Sequence, residues 1–329
     1  MIRQLTGRIT IAALVAAVIT VAAGARQGPS AGAVTGVGNF SHIVSNLEPS
    51  IRFYRETLGL EVDGAPKLFS GDAAMKVSNA LGAQALFTRL PVSGSPFGVE
   101  LIEYQNIERH PAARRFYDPG AAHLILWVRD LDAALARVKK TGAAIGAGGA
   151  PVTLGDGGRV ALLQDPDGFF VQLVQTGGPA PRDGASSHAA SGFEFVVADV
   201  DRTARLYADA LGLSFHPDTA PDRTVPLLVA AGVRQAPARR LVTQVPGTSV
   251  SMTLVGMPRA ARTTPTRFQD PGTPVLQLLV RNANAITAAW KRAGGDVITA
   301  GGAPVAVGAL NLVVLRDPDN LMIELIDGR

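Results

Sequence analysis

Cysteine is absent from all 329 residues, so disulfides, thiolate metal sites and a cysteine nucleophile are excluded. Aromatic residues make up only 5% of the chain, and its Lys and Arg are scattered rather than gathered. That combination offers neither a phosphate-tracking stripe nor a base-stacking platform, which excludes nucleic acid as a partner. Excess charge is scarce too: the formal net charge is +4, and two of those charges, Arg3 and Arg8, stand at the N-terminal end. The apolar run that follows them, Ile9 to Ala23, is shorter than the ~20 residues a spanning helix needs. With Ala23-Gly24-Ala25 behind it, the run reads as an export signal over residues 1–25, cleaved after Ala25. The expected location is therefore periplasmic or secreted, and a membrane partner arises only if the signal stays uncleaved.

What the chain has in abundance is repetition. Asp165-Pro166-Asp167-Gly168 returns as Asp317-Pro318-Asp319-Asn320, 152 positions later. Gly142 and Gly294, Val128-Arg129 and Val280-Arg281, and Arg115-Phe116 and Arg267-Phe268 keep the same separation. Leu58-Gly59-Leu60 and Leu211-Gly212-Leu213 are 153 apart. So many matches at punctuating positions mark a tandem duplication of a whole domain. Each Asp-Pro-Asp reads as a tight turn feeding a strand, because Pro fixes φ at the second position and Gly or Asn tolerates positive φ at the fourth. Turn formation accounts for these aspartates without a calcium site.

Within each half the order strand, helix, strands occurs twice. Asn46, Asp130, Asp199 and Asn282 each follow an apolar strand and suit a helix N-cap. Four modules of βαβββ type result, giving an α+β chain. The expected division is a tether at 26–37, a first paired-module domain at 38–176, a linker at 177–190 and a second paired-module domain at 191–329. Residues 66–82 and 217–238 read as loops that cover a site.

Paired βαβββ modules, the run His123-Leu124-Ile125-Leu126-Trp127-Val128-Arg129-Asp130 and the stretch Asp165 to Leu173 together resemble the vicinal oxygen chelate superfamily. This is the glyoxalase, bleomycin-resistance and extradiol-dioxygenase group. The resemblance implies that two modules curl into one open barrel, with a divalent ion (Zn, Ni, Fe or Mn) inside. It places the metal ligands at Asn39, Glu100, His123 and Gln172, with Glu100 also catalytic. In the second half the same positions are Gly192, Thr253, Val275 and Glu324, which is a degenerate set; Glu194, Gln277 and Glu324 would line a cavity there. His42 is open to two readings: a core histidine facing away from Asn39, or a ligand in its place if a bulge turns the strand. Pairing is open as well. Within halves it keeps the four ligands together; across the duplication it sets Asn39, Glu100 and Glu324 apart from His123 and Gln172.

Two activities follow from the resemblance. One is a metal-dependent lyase, isomerase or dioxygenase that holds a small substrate through neighbouring oxygens. The other is metal-free binding and sequestration of a small molecule in a barrel lined by Ile125, Trp127 and Phe170. Either admits an oligomer. A true glyoxalase is disfavoured, since Gln172 cannot accept a proton and glutathione is scarce outside the cytoplasm. An extradiol dioxygenase is disfavoured because only His123 matches its ligand positions at Asn39, His123 and Gln172.

Overall fold

The computed structural model describes residues 33–178, 188–234, 236–237, 239–258 and 265–328. The export signal, residues 26–32 of the tether and residues 179–187 of the linker lie outside them. Module one comprises β1 (Val34–Ile43), α1 (Leu47–Arg52, running on as a π-helical turn over Phe53–Thr57), β2 (Lys67–Phe69), α2 (Asp72–Val77), β3 (Gln84–Pro91) and β4 (Gly98–Gln105). Module two comprises β5 (Ala122–Val128), α3 (Leu131–Thr141), β6 (Val152–Thr153), β7 (Arg159–Gln164) and β8 (Phe170–Gln175). Module three comprises β9 (His188–Val197), α4 (Val200–Leu211), β10 (His216–Pro217), α5 (Thr224–Ala230), β11 (Arg239–Gln244) and β12 (Ser251–Gly256). Module four comprises β13 (Pro274–Val280), α6 (Ala283–Arg292), β14 (Asp296–Val297), β15 (Val305–Val307), β16 (Leu310–Arg316) and β17 (Met322–Gly328).

The local signals act as expected. The side chains of Asn46, Asp130, Asp199 and Asn282 accept hydrogen bonds from the backbone N–H of Glu48, Ala133, Arg202 and Ala285, satisfying a first-turn donor in each helix. Helices α3 and α4 end on Gly142 (φ 71°) and Gly212 (φ 72°), with open space where a Cβ would stand. Gly142→Ala and Gly212→Ala should therefore each cost about 1 kcal/mol from backbone strain alone, readable in urea melts. In the two Asp-Pro-Asp turns, Asp165 Oδ1 accepts from the N–H groups of Asp167 and Phe169, and Asp317 Oδ1 from those of Asp319 and Leu321, all at 2.8–2.9 Å. Beneath them the Tyr54 hydroxyl donates to Asp165 Oδ2 at 3.2 Å and the Tyr207 hydroxyl to Asp317 Oδ2 at 3.1 Å. The inter-module loops repeat too, Arg115 embracing Asp118 as Arg267 embraces Asp270.

The strands form two curled sheets. The first has the order β14-β16-β17-β13-β1-β4-β3-β2 with β15 added on β16; the second has β10-β11-β12-β9-β5-β8-β7-β6. Strand β1 runs antiparallel to β13 with Phe40 opposite Leu276, and β5 runs antiparallel to β9 with His123 opposite Glu194. Module one thus pairs with module four, and two with three. The division at 38–176 and 191–329 into two paired-module domains does not describe the barrels, since each sheet draws on both halves. Three smaller expectations are corrected as well. Strand β1 begins at Val34 inside the expected tether, and β9 at His188 inside the expected linker. The covering segments 66–82 and 217–238 each hold a short strand and a short helix.

Strand alternation separates two environments. Phe40, Val99, Leu101, Leu276, Leu278, Ile323 and Leu325 of the first sheet join Leu124, Leu126, Val171, Leu173 and Phe193 of the second in one apolar core. Helix residues Leu131, Val138, Leu206, Tyr207, Ile286 and Trp290 complete it. The intervening residues of each sheet face a separate interior, and there the polar side chains gather.

Candidate functional site

The interior of the first sheet is a cavity of about 270 Å³. Asn39 on β1, Glu100 on β4, Gln277 on β13 and Glu324 on β17 supply its polar lining. Phe69, Phe87, Tyr104 and Phe268 supply its aromatic walls, with α2 presenting Ala74 and Val77. Gln277 is central. Its Oε1 accepts the Asn39 backbone N–H at 2.9 Å, which fixes which end of the amide is oxygen. Its Nε2 therefore turns to the carboxylates and donates to Glu100 Oε2 at 2.8 Å and Glu324 Oε2 at 3.0 Å. The Ser41 hydroxyl also donates to Glu100 Oε2, at 2.6 Å. Asn39 Oδ1 accepts from Arg89 Nε at 2.7 Å and Gly98 N–H at 3.3 Å. Among the described residues, Oε1 of Glu100 and of Glu324 accepts no hydrogen bond.

Burial pushes the Glu324 carboxyl up, the neighbouring Glu100 charge adds to it, and the group titrates at about 7 despite the bond from Gln277. Burial raises Glu100 as well, against hydrogen bonds from Ser41 and Gln277 and the charge of Arg89.

The second sheet gathers His123 and Ile125 (β5), Gln172 (β8), Glu194 (β9) and Arg223 at the N-cap of α5. Arg223 Nε donates to Gln172 Oε1 at 2.9 Å, and its Nη2 donates to Glu194 Oε2 at 3.2 Å. Gln172 Nε2 donates to Glu194 Oε1 at 2.8 Å and lies 2.8 Å from His123 Nδ1, itself 3.1 Å from Glu194 Oε1. His123 Nε2 is 2.7 Å from the Phe116 carbonyl, so this nitrogen carries a proton and donates. Burial alone would raise Glu194, but the hydrogen bond from His123 and the charges of Arg223, His123 and Arg240 hold it down at about 2. Phe116, Phe170, Leu227 and Leu228 pack around this closed cluster.

The four ligands expected in one barrel are thus divided: Asn39 and Glu100 belong to the first sheet, His123 and Gln172 to the second. The structure brings His42 to neither. It is buried on the core side, with Nδ1 2.9 Å from Asp165 Oδ2 and its ring against Phe169. Glu324 and Gln277, assigned to a degenerate second site, complete the first-sheet cavity instead. Val275, matched to His123 by repeat spacing, lies in the apolar packing beside the cavity, and Gln277 two residues on holds the inward position. Thr253 is buried on β12 opposite Glu194, and Gly192 lies against Ser251.

Neither donor set suits the divalent ion that the resemblance implies. Such an ion needs lone pairs converging at ~2.0–2.2 Å. In the first sheet both amide oxygens are committed to N–H donors, and Gln277 offers hydrogens where a ligand would offer electrons. In the second, His123 Nε2 and the Gln172 oxygen are spent, and a guanidinium stands on Glu194. Among the described residues no three His, Asp or Glu side chains are grouped to hold a metal.

Residues 36–173 match the sequence model of the Glyoxalase/Bleomycin resistance protein/Dioxygenase superfamily. No curated protein matches the sequence. Among solved structures, glyoxalase I from Zea mays superposes with a TM-score of 0.58 at 16% identity, covering 89% of this chain and 92% of its own. A putative dioxygenase from Bacillus subtilis superposes with a TM-score of 0.55 at 13% identity, covering 91% and 86% respectively. At these identities the likeness speaks for the fold alone. The family match thus covers residues 36–173, and the solved structures show that the chain shares the fold of these proteins over most of its length.

Proposed function

We propose that the chain binds a small, largely apolar molecule in the first-sheet cavity, without a metal ion, as a binding or sequestering protein. The observation that carries this reading is the orientation of Gln277, whose amide nitrogen stands between the Glu100 and Glu324 carboxylates. At about 270 Å³ the cavity lies at the lower end of the ~300–1,000 Å³ typical of small-molecule sites. Its mixture of aromatic wall and a few convergent polar groups is the usual composition of one. The metal-dependent lyase, isomerase or dioxygenase asks for donors that Asn39 and Gln277 turn away.

A second reading, proton transfer on the bound molecule, rests on Glu324. A carboxyl titrating at about 7 holds or releases a proton near neutral pH, as a general acid or base must. Glu100 would then position Gln277 and, through it, Glu324.

Metal analysis of the purified full chain, paired with thermal melts in added Zn, Ni, Mn or Fe(II), tests the metal-free reading. The expected result is far less than one ion per chain and a melting temperature that metal leaves within about 2 °C. One tightly held ion per chain, lost in Glu100→Gln, would overturn it.

A further inference from the structure

We propose that the ligand of the first-sheet cavity is an organic cation, an ammonium, amidinium or guanidinium group on an apolar body, held by Glu324 and Glu100. The inference rests on the metal-free binding reading above and deepens it. Its ground is a comparison inside the molecule, between one duplicated barrel that is filled and another that is open.

In the second sheet the chain supplies its own cation. Arg223, at the N-cap of α5, reaches inward and donates to Gln172 Oε1 at 2.9 Å and to Glu194 Oε2 at 3.2 Å. At the matching N-cap, that of α2 and 152 positions earlier, stands Gly71, which has no side chain to send. The counterpart of Gln172 by the same separation is Glu324. Where the filled barrel sets a guanidinium against an amide oxygen, the open barrel sets empty space against a carboxylate.

The lining of that space is consistent with a cation from outside. Among the described residues, two carboxylates reach it and no Lys, Arg or His does. Arg89, whose charge acts on Glu100, is engaged by Asn39 at 2.7 Å and stands 3.9 Å from Asp63. Each carboxylate gives Oε2 to Gln277, leaving Oε1 to accept from a ligand. A metal ion would need more electron-pair donors than these, whereas an ammonium or guanidinium brings its own hydrogens and needs only acceptors. Phe69, Phe87, Tyr104 and Phe268 line the cavity as well, and aromatic rings attract organic cations through their negative quadrupoles.

The test is calorimetric titration of the full chain at pH 7.5 with three probes of one shape: 2-phenylethylammonium, 2-phenylethanol and phenylacetate. The expected order is the ammonium bound at least about tenfold tighter than the alcohol, a difference of about 1.4 kcal/mol, and phenylacetate weakest. In Glu324→Gln the advantage of the ammonium should fall below about threefold while the alcohol binds as before, which also reports an intact cavity. If that variant fails to fold, the order among the three probes on the unaltered protein still decides. Alcohol and ammonium binding equally would overturn the cation and leave the small-molecule reading standing. No binding of any probe, together with one tightly held metal ion per chain, would overturn both; no probe and no metal would overturn the cation.

Discussion

Replacing Arg223 by methionine should destabilise the protein by about 3–5 kcal/mol, seen as a lower midpoint in urea at unchanged slope. Arg223 is buried, and its guanidinium provides two of the hydrogen bonds that hold Gln172 and Glu194. Methionine fills much of the volume but leaves the buried Glu194 carboxylate with no guanidinium bond, only the Gln172 amide and His123. The pH dependence gives the sign. Glu194 is depressed to about 2 from 4.5, so it contributes stability that is present above 4.5 and lost as pH falls through 2. The gap between Arg223→Met and the unaltered protein should be full above pH 5 and narrow towards pH 2. Adding Glu194→Gln to the variant should recover part of the loss, because the stranded charge is then gone. A gap under about 1 kcal/mol at pH 7 would show the cluster to be ornamental.

Glu324→Gln should do the opposite, stabilising the protein by up to about 3 kcal/mol at pH 8 while leaving it nearly unchanged below pH 4.5. The Glu324 carboxyl is raised from 4.5 to about 7, so the stability tied to its protonated form is full below 4.5 and is lost as pH rises through 7. Glutamine does not titrate, and its oxygen can still accept from Gln277 Nε2. Burial and the nearby Asp319 also raise Asp317 to about 7, and burial raises Glu100, so the variant should keep part of the decline. Denaturant melts of both proteins from pH 4 to 8 measure the difference. Curves that run parallel across that range would mean that Glu324 is ionised freely in the fold.

The fold was legible wherever a residue acts through its own backbone. Caps at Asn46, Asp130, Asp199 and Asn282, left-handed stops at Gly142 and Gly212, and the two Asp-Pro-Asp turns depend on local geometry, and they recur in the sequence as in the structure. Which modules join was not legible in the same way. The apolar alternation of β1 suits β5 as well as β13, and no local signal favours one partner. The candidate site inherited that ambiguity: Glu100 was found, but it was matched with His123 rather than Gln277. Counting repeat positions led to Val275, which shares a face of β13 with Gln277 but packs among apolar residues beside the cavity. One polar residue in Val275-Leu276-Gln277-Leu278-Leu279 was the available signal. Arg223 gave none, being a charged residue at the head of a seven-residue helix without a side-chain cap.

Joining modules across the duplication also sets a schedule for synthesis. β4 reaches β1 within one module, but the other neighbour of β1 is β13, with Phe40 opposite Leu276. At ~5–20 residues per second, the strand that completes this barrel leaves the ribosome roughly ten to fifty seconds after β1. The other barrel closes earlier, because β9 follows β5 after one module. Through that interval β1 presents an unpaired edge of the kind β5 could occupy. The nascent chain reaches its native arrangement only if β5 joins β9 and leaves β1 vacant for the last module.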